Sequence, residues 1–417
     1  MSCLQYQNDV LYLDNVNLTQ LAADYGTPCY VYSRTAIEQA WHSLDKAFSP
    51  ILHRICYAVK ANSNLAILQL LARLGSGFDI VSGGELERVL AAGGNPSTIV
   101  FSGVAKQTAE IEQAIKAGIY CFNVESEQEV VRINHIASML HTCVNIAIRI
   151  NPDVDPQTHA HISTGQRHNK FGVDIPAVIP LCQTIATLTS VKLIGIAGHI
   201  GSQILDLSPL LMSVDKLIAL YQKLIEMGIP LQFINIGGGI GIQYHHEVPL
   251  SITDYAQAVK ERIANYPIEV IVEPGRYIVG NAGILLTRVE YLKQTENKHF
   301  ALVDAGMNDL IRPALYQAWQ SILPVVQRHE PMKEYDIAGP VCESADFLGK
   351  NRQLAIQQGD LLAVTSVGAY GFTMSSNYNS RCRAAEVLVD HGQTHLIRRR
   401  ESIKDLFAAE NTIDYIA

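Results

Sequence analysis

RICYAVKAN, residues 54–62, sets a lysine, Lys60, directly behind an apolar run of the kind that forms a buried strand. An ammonium is costly in such a place unless something there uses it. The same pattern returns along the chain. Short β-rich runs alternate with stretches of helical period: RICYAV (54–59), FDIV (78–81), TIVFSG (98–103), YCFNVE (120–125), NIAIRIN (145–151), LIGIAGHI (193–200), FINIGG (233–238) and EVIVEP (269–274). Between them, Gly84 to Ala92 has a helical pattern that stops at Gly93-Gly94. Ser126-x-x-Glu129 reads as a capping box ahead of Val130, Ile133 and Ala137. Strands that alternate with helices make a parallel sheet, and eight of them predict an α/β fold, a (β/α)8 TIM barrel.

After Arg276 the regular helices disappear. GILLTRVEYLKQ, HFALVDAG, EYDIAGPVC, DLLAVTSVG and RAAEVLVDHGQTHLIRRR read as strands of a mostly β domain. NDVLYLDNVNLTQLAADYGTPCYVYS, ahead of the barrel, has a strand-like start and a short helix. The expected division is therefore 1–27 as an N-terminal segment completing the β domain, 28–276 as the barrel and 277–417 as the C-terminal β domain.

The chain has 417 residues, 48% of them hydrophobic and 17% charged, enough for a large buried core and two domains. A formal net charge of −8 gives no basic footprint for nucleic acid, and Arg398 to Arg400 read as a solvated turn or strand edge. MSCLQYQNDVLYLDN has neither a basic n-region nor an apolar h-region, and no apolar stretch reaches membrane-spanning length, so a cytoplasmic protein with small-molecule partners is expected. The eight cysteines include no CxxC pair, which argues against zinc or a disulfide framework and for mostly buried free thiols.

Lys60, Asp79, Arg149, His199, Gly237 to Gly239 and Glu273 all fall at or just past the carboxyl ends of their strands, where barrel enzymes build their sites. A lysine there can bind an anion, pair with a carboxylate, or form a Schiff base with an aldehyde once desolvation lowers its pKa. The run INIGGGIG lets backbone N–H groups approach a phosphate, especially beside a helix N-terminus, and equally reads as a plain turn. With pyridoxal phosphate as cofactor, Glu273 can hold the pyridine nitrogen protonated, His199 can stack on the ring and Ser202 can reach the phosphate. Arg149 and Asp79 then face the phenolate side or Lys60, or else form a barrel-mouth salt bridge. Glu273 has an alternative as the partner of a neighbouring arginine.

YAVKAN, FDIVSGGEL, NKFG (169–172), GHIGSQ, GGGIG and EPGR, in this order, resemble the fold-type III pyridoxal-phosphate decarboxylases, an alanine-racemase-like barrel plus β domain. MNDLIRPALY (307–316), GPVCESAD (339–346) and GFTMSSNYNSRCRAAEVLV (371–389) are similar to the diaminopimelate decarboxylases within that group, over nearly the whole chain. The resemblance implies a lyase that removes the carboxylate at the D-centre of meso-2,6-diaminopimelate, giving L-lysine and CO2 in the last step of lysine biosynthesis. It implies pyridoxal 5'-phosphate held on Lys60 and partnered by Glu273. Gly238, Gly239, Gly275, Arg276, Ser202 and Tyr370 would then hold the phosphate. Arg276, Arg312 and Tyr316 would bind the distal carboxylate and Glu343 the distal amine, with Tyr370 beside them. Cys342 would return a proton to the carbanion, and Cys342 with Glu343 would reach the partner's site in a homodimer with shared active sites. No metal is implied. Where the family usually has proline, this sequence has Cys382, which bears on local backbone geometry only.

Three rivals stand beside this reading. A decarboxylase for ornithine, arginine or carboxynorspermidine would not need Arg312, Tyr316 and Glu343 together, and an alanine-racemase-like enzyme would be expected to put arginine where Glu273 stands. A non-catalytic cofactor-binding protein would be expected to have lost the lysine, the cysteine or a phosphate-binding group. His168, Asn169 and Lys170 are candidates for a closing loop, and HAHIS (159–163) with His168 reads equally as a solvated loop.

Overall fold

The computed structural model describes residues 3–155 and 169–413, and the chain divides into two compact units, Glu38–Val279 and Met1–Ile37 with Gly280–Ala417. In the first, eight parallel strands close on themselves: His53–Ala58, Gly77–Ile80, Ile99–Phe101, Cys121–Val124, Val144–Asn151, Val191–Gly198, Phe233–Asn235 and Glu269–Val272, which pairs back with the first. A helix follows each of them, from Leu65–Arg73 after the first to the short Arg276–Val279 after the last. Cys56, Val100, Cys121, Ala147, Ile194, Phe233 and Ile271 pack together in one buried cluster. Phe233 fills its share of that space because Gly195 has no side chain: a Cβ there would come within 2.4 Å of the Phe233 ring.

Except for Val144–Asn151, which ends where its run does, each strand stops one to three residues before the run read from sequence. FINIGG leaves the ladder after Asn235 and EVIVEP after Val272, so the Gly-Gly and Glu-Pro tails become loop. Lys60 likewise leaves the first strand and sits in a single 3-10 turn, Val59–Ala61. The capping box before Glu127–Met139 is only half formed. Ser126 Oγ accepts from the Glu129 N–H at 3.2 Å, but Glu129 gives its carboxylate to the Glu125 N–H and to Lys106.

The β domain is built on the long strand Gly283–Gln294, with His299–Val303, Lys333–Ala338 and Phe347–Leu354 following in order on one side. On its other side lie Cys29–Ser33, Ala385–Asp390 and Gln393–Arg398. A small three-stranded sheet and the helix Leu18–Tyr25, capped by Asn17, complete the domain around Leu11, Leu13, Leu18 and Val31. The expected boundary at residue 28 is therefore corrected. Cys29–Ser33 pairs with Gly283–Leu286 and Ala385–Val389, so the β domain takes residues up to Ile37. Ile322–Pro324 and Phe347–Leu354 are strands that the sequence reading passed over.

Arg398 ends an outer strand with its guanidinium on Glu386, and Arg399 pairs with Asp405. Of the eight cysteines, all free, only Cys29, Cys56, Cys121 and Cys182 are buried, so the expectation of mostly buried thiols holds for half of them. Among the described residues no helix is long and apolar enough to cross a membrane. His168 and residues 159–163 lie outside the described residues.

Candidate active site

The carboxyl end of the barrel encloses a cavity of about 170 Å3, whose lining includes Lys60, Asp79, Arg149, His199 and Glu273. These five come from five different strand ends, and barrel closure alone brings them together. Lys60 Nζ donates to Asp79 Oδ2 at 2.6 Å; the aspartate is wholly buried while 39% of the lysine side chain stays exposed. Asp79 Oδ1, also buried, has no hydrogen-bond partner among the described residues.

Among the described residues Glu273 forms no ion pair with an arginine. Its Oε1 accepts from Asn235 Nδ2 at 2.5 Å and from Asn123 Nδ2 at 3.4 Å. Burial, helped by the Asp79 charge, pushes its carboxyl up to about 7 against the opposing effects of Lys60, the Asn235 bond and Arg149. A group poised there changes charge with small changes in its surroundings.

His199 Nδ1 accepts from the Gly238 N–H at 3.2 Å, which leaves the ring proton to Nε2. Desolvation, then the positive charges of Arg149 and Lys60, hold its imidazole well below the ordinary range, so the ring is neutral. Arg149 pairs with Glu125 at 3.0 Å and lies 4.8 Å over the Phe171 ring, the barrel-mouth salt bridge that the sequence left open.

The glycine run is required by packing. Gly237 and Gly239 have φ of 70° and 97°, and a Cβ on Gly238 would stand 2.0 Å from the Glu273 carbonyl oxygen. No long helix begins behind it; the next one starts at Ile252. Instead Ile240 bridges to Ile204, and Gly237 gives its N–H to Asn235 Oδ1. Next to this turn Arg276 donates to Ser202 Oγ at 3.0 Å and to the Tyr244 hydroxyl at 2.6 Å. Gly275 packs against Ala58 and Ala61, beside Lys60.

The remaining predicted residues belong to the β domain. Arg312 opens the short helix Arg312–Tyr316 and is 6% exposed. Tyr370 is half-buried and adopts a φ of 57°, an uncommon conformation for a bulky residue that clusters at functional sites. Cys342 and Glu343 are exposed on the loop after Lys333–Ala338, which the buried Asp346 braces by accepting from the Met307 and Val341 N–H groups. Among the described residues Cys342 is tied through its N–H, to Asn379 Oδ1 at 2.7 Å. Cys382 lies outside any strand, where proline would cost no ladder hydrogen bond.

Sequence reasoning missed Asn123, Asn235, Glu125, Tyr244 and Glu85. Asn123 and Asn235 are polar residues at barrel strand ends, the same signal that singled out Asp79. Glu85 lies near Lys60 and Asp79, with its carboxyl raised to about 7 chiefly by burial.

A neutral imidazole, a lysine paired with a buried carboxylate and a poised glutamate on the barrel mouth are groups that suit aldehyde-cofactor chemistry. Residues 34–280 match the family model of the pyridoxal-dependent decarboxylases, pyridoxal binding domain. The diaminopimelate decarboxylase of Vibrio cholerae is 53% identical over 99% of this chain and 100% of its own length. A crystal structure of diaminopimelate decarboxylase from Helicobacter pylori complexed with L-lysine superposes with a TM-score of 0.92 at 42% identity, over 94% of this chain and 99% of that one. One from M. jannaschii gives 0.95 at 37% identity, over 99% and 98%. The chain belongs to the diaminopimelate decarboxylases, a family of carboxy-lyases.

Proposed function

We propose that the protein removes CO2 from the D-configured carbon of meso-2,6-diaminopimelate to leave L-lysine, with pyridoxal 5'-phosphate bound on Lys60. The observation that carries this reading is that Lys60 and Glu273 line one cavity at the carboxyl mouth of the barrel, in a chain of this family. The residues present fit the cofactor. They offer a primary amine, a buried carboxylate with an unpartnered oxygen at Asp79, a flat neutral imidazole, and a cluster of Ser202 and Arg276 beside a glycine turn.

In this assignment Asp79 holds the Lys60 ammonium and is an acceptor within hydrogen-bond reach for its proton when the amine reacts. Glu273 partners the ring nitrogen, with Asn235 and Asn123 fixing its orientation. His199 offers a ring face, and its Nδ1 is held by Gly238. Ser202, Arg276, Gly238, Gly239, Gly275 and Tyr370 hold the phosphate. The bound cofactor supplies an electron sink for the pair left by the departing CO2. Arg312, Tyr316 and Arg276 take the distal carboxylate, Glu343 the distal amine, and Cys342 returns the proton. Cys342 and Glu343 stand exposed on their own chain, which suits groups that complete the site of a partner in a homodimer. Eight free thiols suit a cytoplasmic setting.

The test is CO2 release with meso-diaminopimelate beside lysine, ornithine and arginine. Turnover of diaminopimelate alone is expected; equal or better turnover of ornithine would overturn the substrate assignment.

A further inference from the structure

Glu125 directly follows the fourth barrel strand, Cys121–Val124, and only 4% of its side chain is exposed. Both of its carboxylate oxygens are in use. Oε1 accepts from Arg149 Nη1 at 3.0 Å, and Oε2 accepts from the Gly172 N–H at 2.9 Å. Gly172 is itself fixed: its φ is +73°, and a Cβ there would come 2.7 Å from the Ile150 carbonyl carbon. The backbone of Glu125 is anchored from the other side, because its N–H donates to Glu129 Oε2 at 2.8 Å. Glu129 in turn pairs with Lys106, whose side chain is 1% exposed and which also donates to the Gly103 and Asn123 carbonyls at 2.8 and 2.7 Å. A buried ion pair is costly to desolvate and repays that cost when every donor is satisfied, as it is for Lys106.

We propose that Glu125 is a positioning residue for the cofactor pocket, clamped between Gly172 and the Lys106–Glu129 pair so that it holds the Arg149 guanidinium in the cavity wall. The inference rests on the reading of that cavity as the cofactor site. A carboxylate is required because both contacts are made by donors. A glutamine would turn its NH2 group toward either the Arg149 guanidinium or the Gly172 N–H, and an aspartate is one methylene too short to span the two. Arg149 fixed in this way faces His199 together with Lys60, and both charges disfavour a charged imidazole.

The experiment compares the wild-type holoenzyme with Glu125→Gln, Glu125→Asp, Arg149→Leu and the Glu125→Gln/Arg149→Leu double variant, following cofactor release by the loss of its visible absorbance. Glu125→Gln is expected to release cofactor roughly ten- to a hundredfold faster, the range for a lost hydrogen bond to a charged group. Glu125→Asp should fall between it and wild type, and the double variant should be no faster than Arg149→Leu alone. In the full-length protein without cofactor, the His199 imidazole followed by NMR should titrate at higher pH in Glu125→Gln, because Arg149 has moved away; mere loss of stability would not produce this. A His199 midpoint that is unchanged or lower, or an equal Glu125→Gln effect with and without Arg149, overturns the proposal. If Arg149→Leu itself leaves release unchanged, the cofactor-site reading of this wall fails instead.

Discussion

Lys60 Nζ and Asp79 Oδ2 meet at 2.6 Å across the ends of the first two barrel strands, and only the lysine of the pair keeps solvent-exposed surface. Asp79 can therefore hold or take a proton without competing for the cofactor's aldehyde. Lys60→Ala is expected to give no visible absorbance band with pyridoxal phosphate and no CO2 release. It should also destabilise the cofactor-free protein, by about 1–3 kcal/mol, because Asp79 is left buried without its cation. Asp79→Asn should still form the band, but more slowly. A visible band in Lys60→Ala that borohydride traps on another residue would displace the central assignment.

Glu273 makes a prediction in pH. Its folded-state carboxyl is raised from an ordinary value near 4.5 to about 7, so the folded chain binds this proton more tightly than the unfolded one. The stability it contributes is present below the unfolded value and is lost as pH rises through about 7. Glu85 is shifted in the same direction, which makes the difference between variants the informative quantity. The cofactor-free Glu273→Gln protein should therefore lose less stability than wild type between pH 5 and 8 in urea denaturation. Parallel pH profiles for the two proteins would mean that Glu273 is not a strained acid.

The barrel was legible because its signal is local: an apolar run, then a polar residue or a glycine turn, repeated with helices between. Strand ends were read too long because GG and EP continue the apolar run in sequence, while the ladder ends at Asn235 and Val272. Cys29–Ser33 was legible as a strand but not as a member of the β sheet, since its partners at 283–286 and 385–389 are distant in sequence and their pairing leaves no mark in CYVYS. Lys60, Asp79, Arg149, His199 and Glu273 were found by position alone. Asn235 carries the same strand-end signal and was passed over, while the contacts of Glu125 with Gly172 and Arg149 link residues distant in sequence and leave no mark in YCFNVE.

Cys342 tests the proposed part of the β domain in the reaction. It is exposed and contacts its surroundings through the backbone N–H rather than the thiol, so Cys342→Ala should change stability by no more than about 0.5 kcal/mol. As a proton donor it should nevertheless carry about 10²- to 10⁴-fold of the rate. Stopped-flow absorbance should then show substrate binding at an ordinary rate, followed by slow turnover. A variant with full kcat would remove Cys342 from the reaction and with it the main chemical reason for a second subunit at the site.

The proposed role of Arg312 is to decide the substrate. Diaminopimelate differs from ornithine at its far end, which carries a carboxylate as well as an amine, and a planar guanidinium can grip that carboxylate with two parallel hydrogen bonds. A residue held in place suits such a grip. Arg312 is 6% exposed, starts a helix that ends at once in the left-handed Gln317, and so has its backbone fixed. Arg312→Lys keeps the charge but loses the fork, and should raise KM for meso-diaminopimelate by about tenfold or more, with a smaller change in kcat. Its effect on the affinity for ornithine, measured as a competitive inhibitor, should be near nothing, because ornithine has no distal carboxylate for Arg312 to hold. Steady-state assays with and without ornithine check this: an equal loss of affinity for the two would mean that Arg312 supports the fold and not the distal head, and substrate choice would then have to rest on Tyr316 and Glu343.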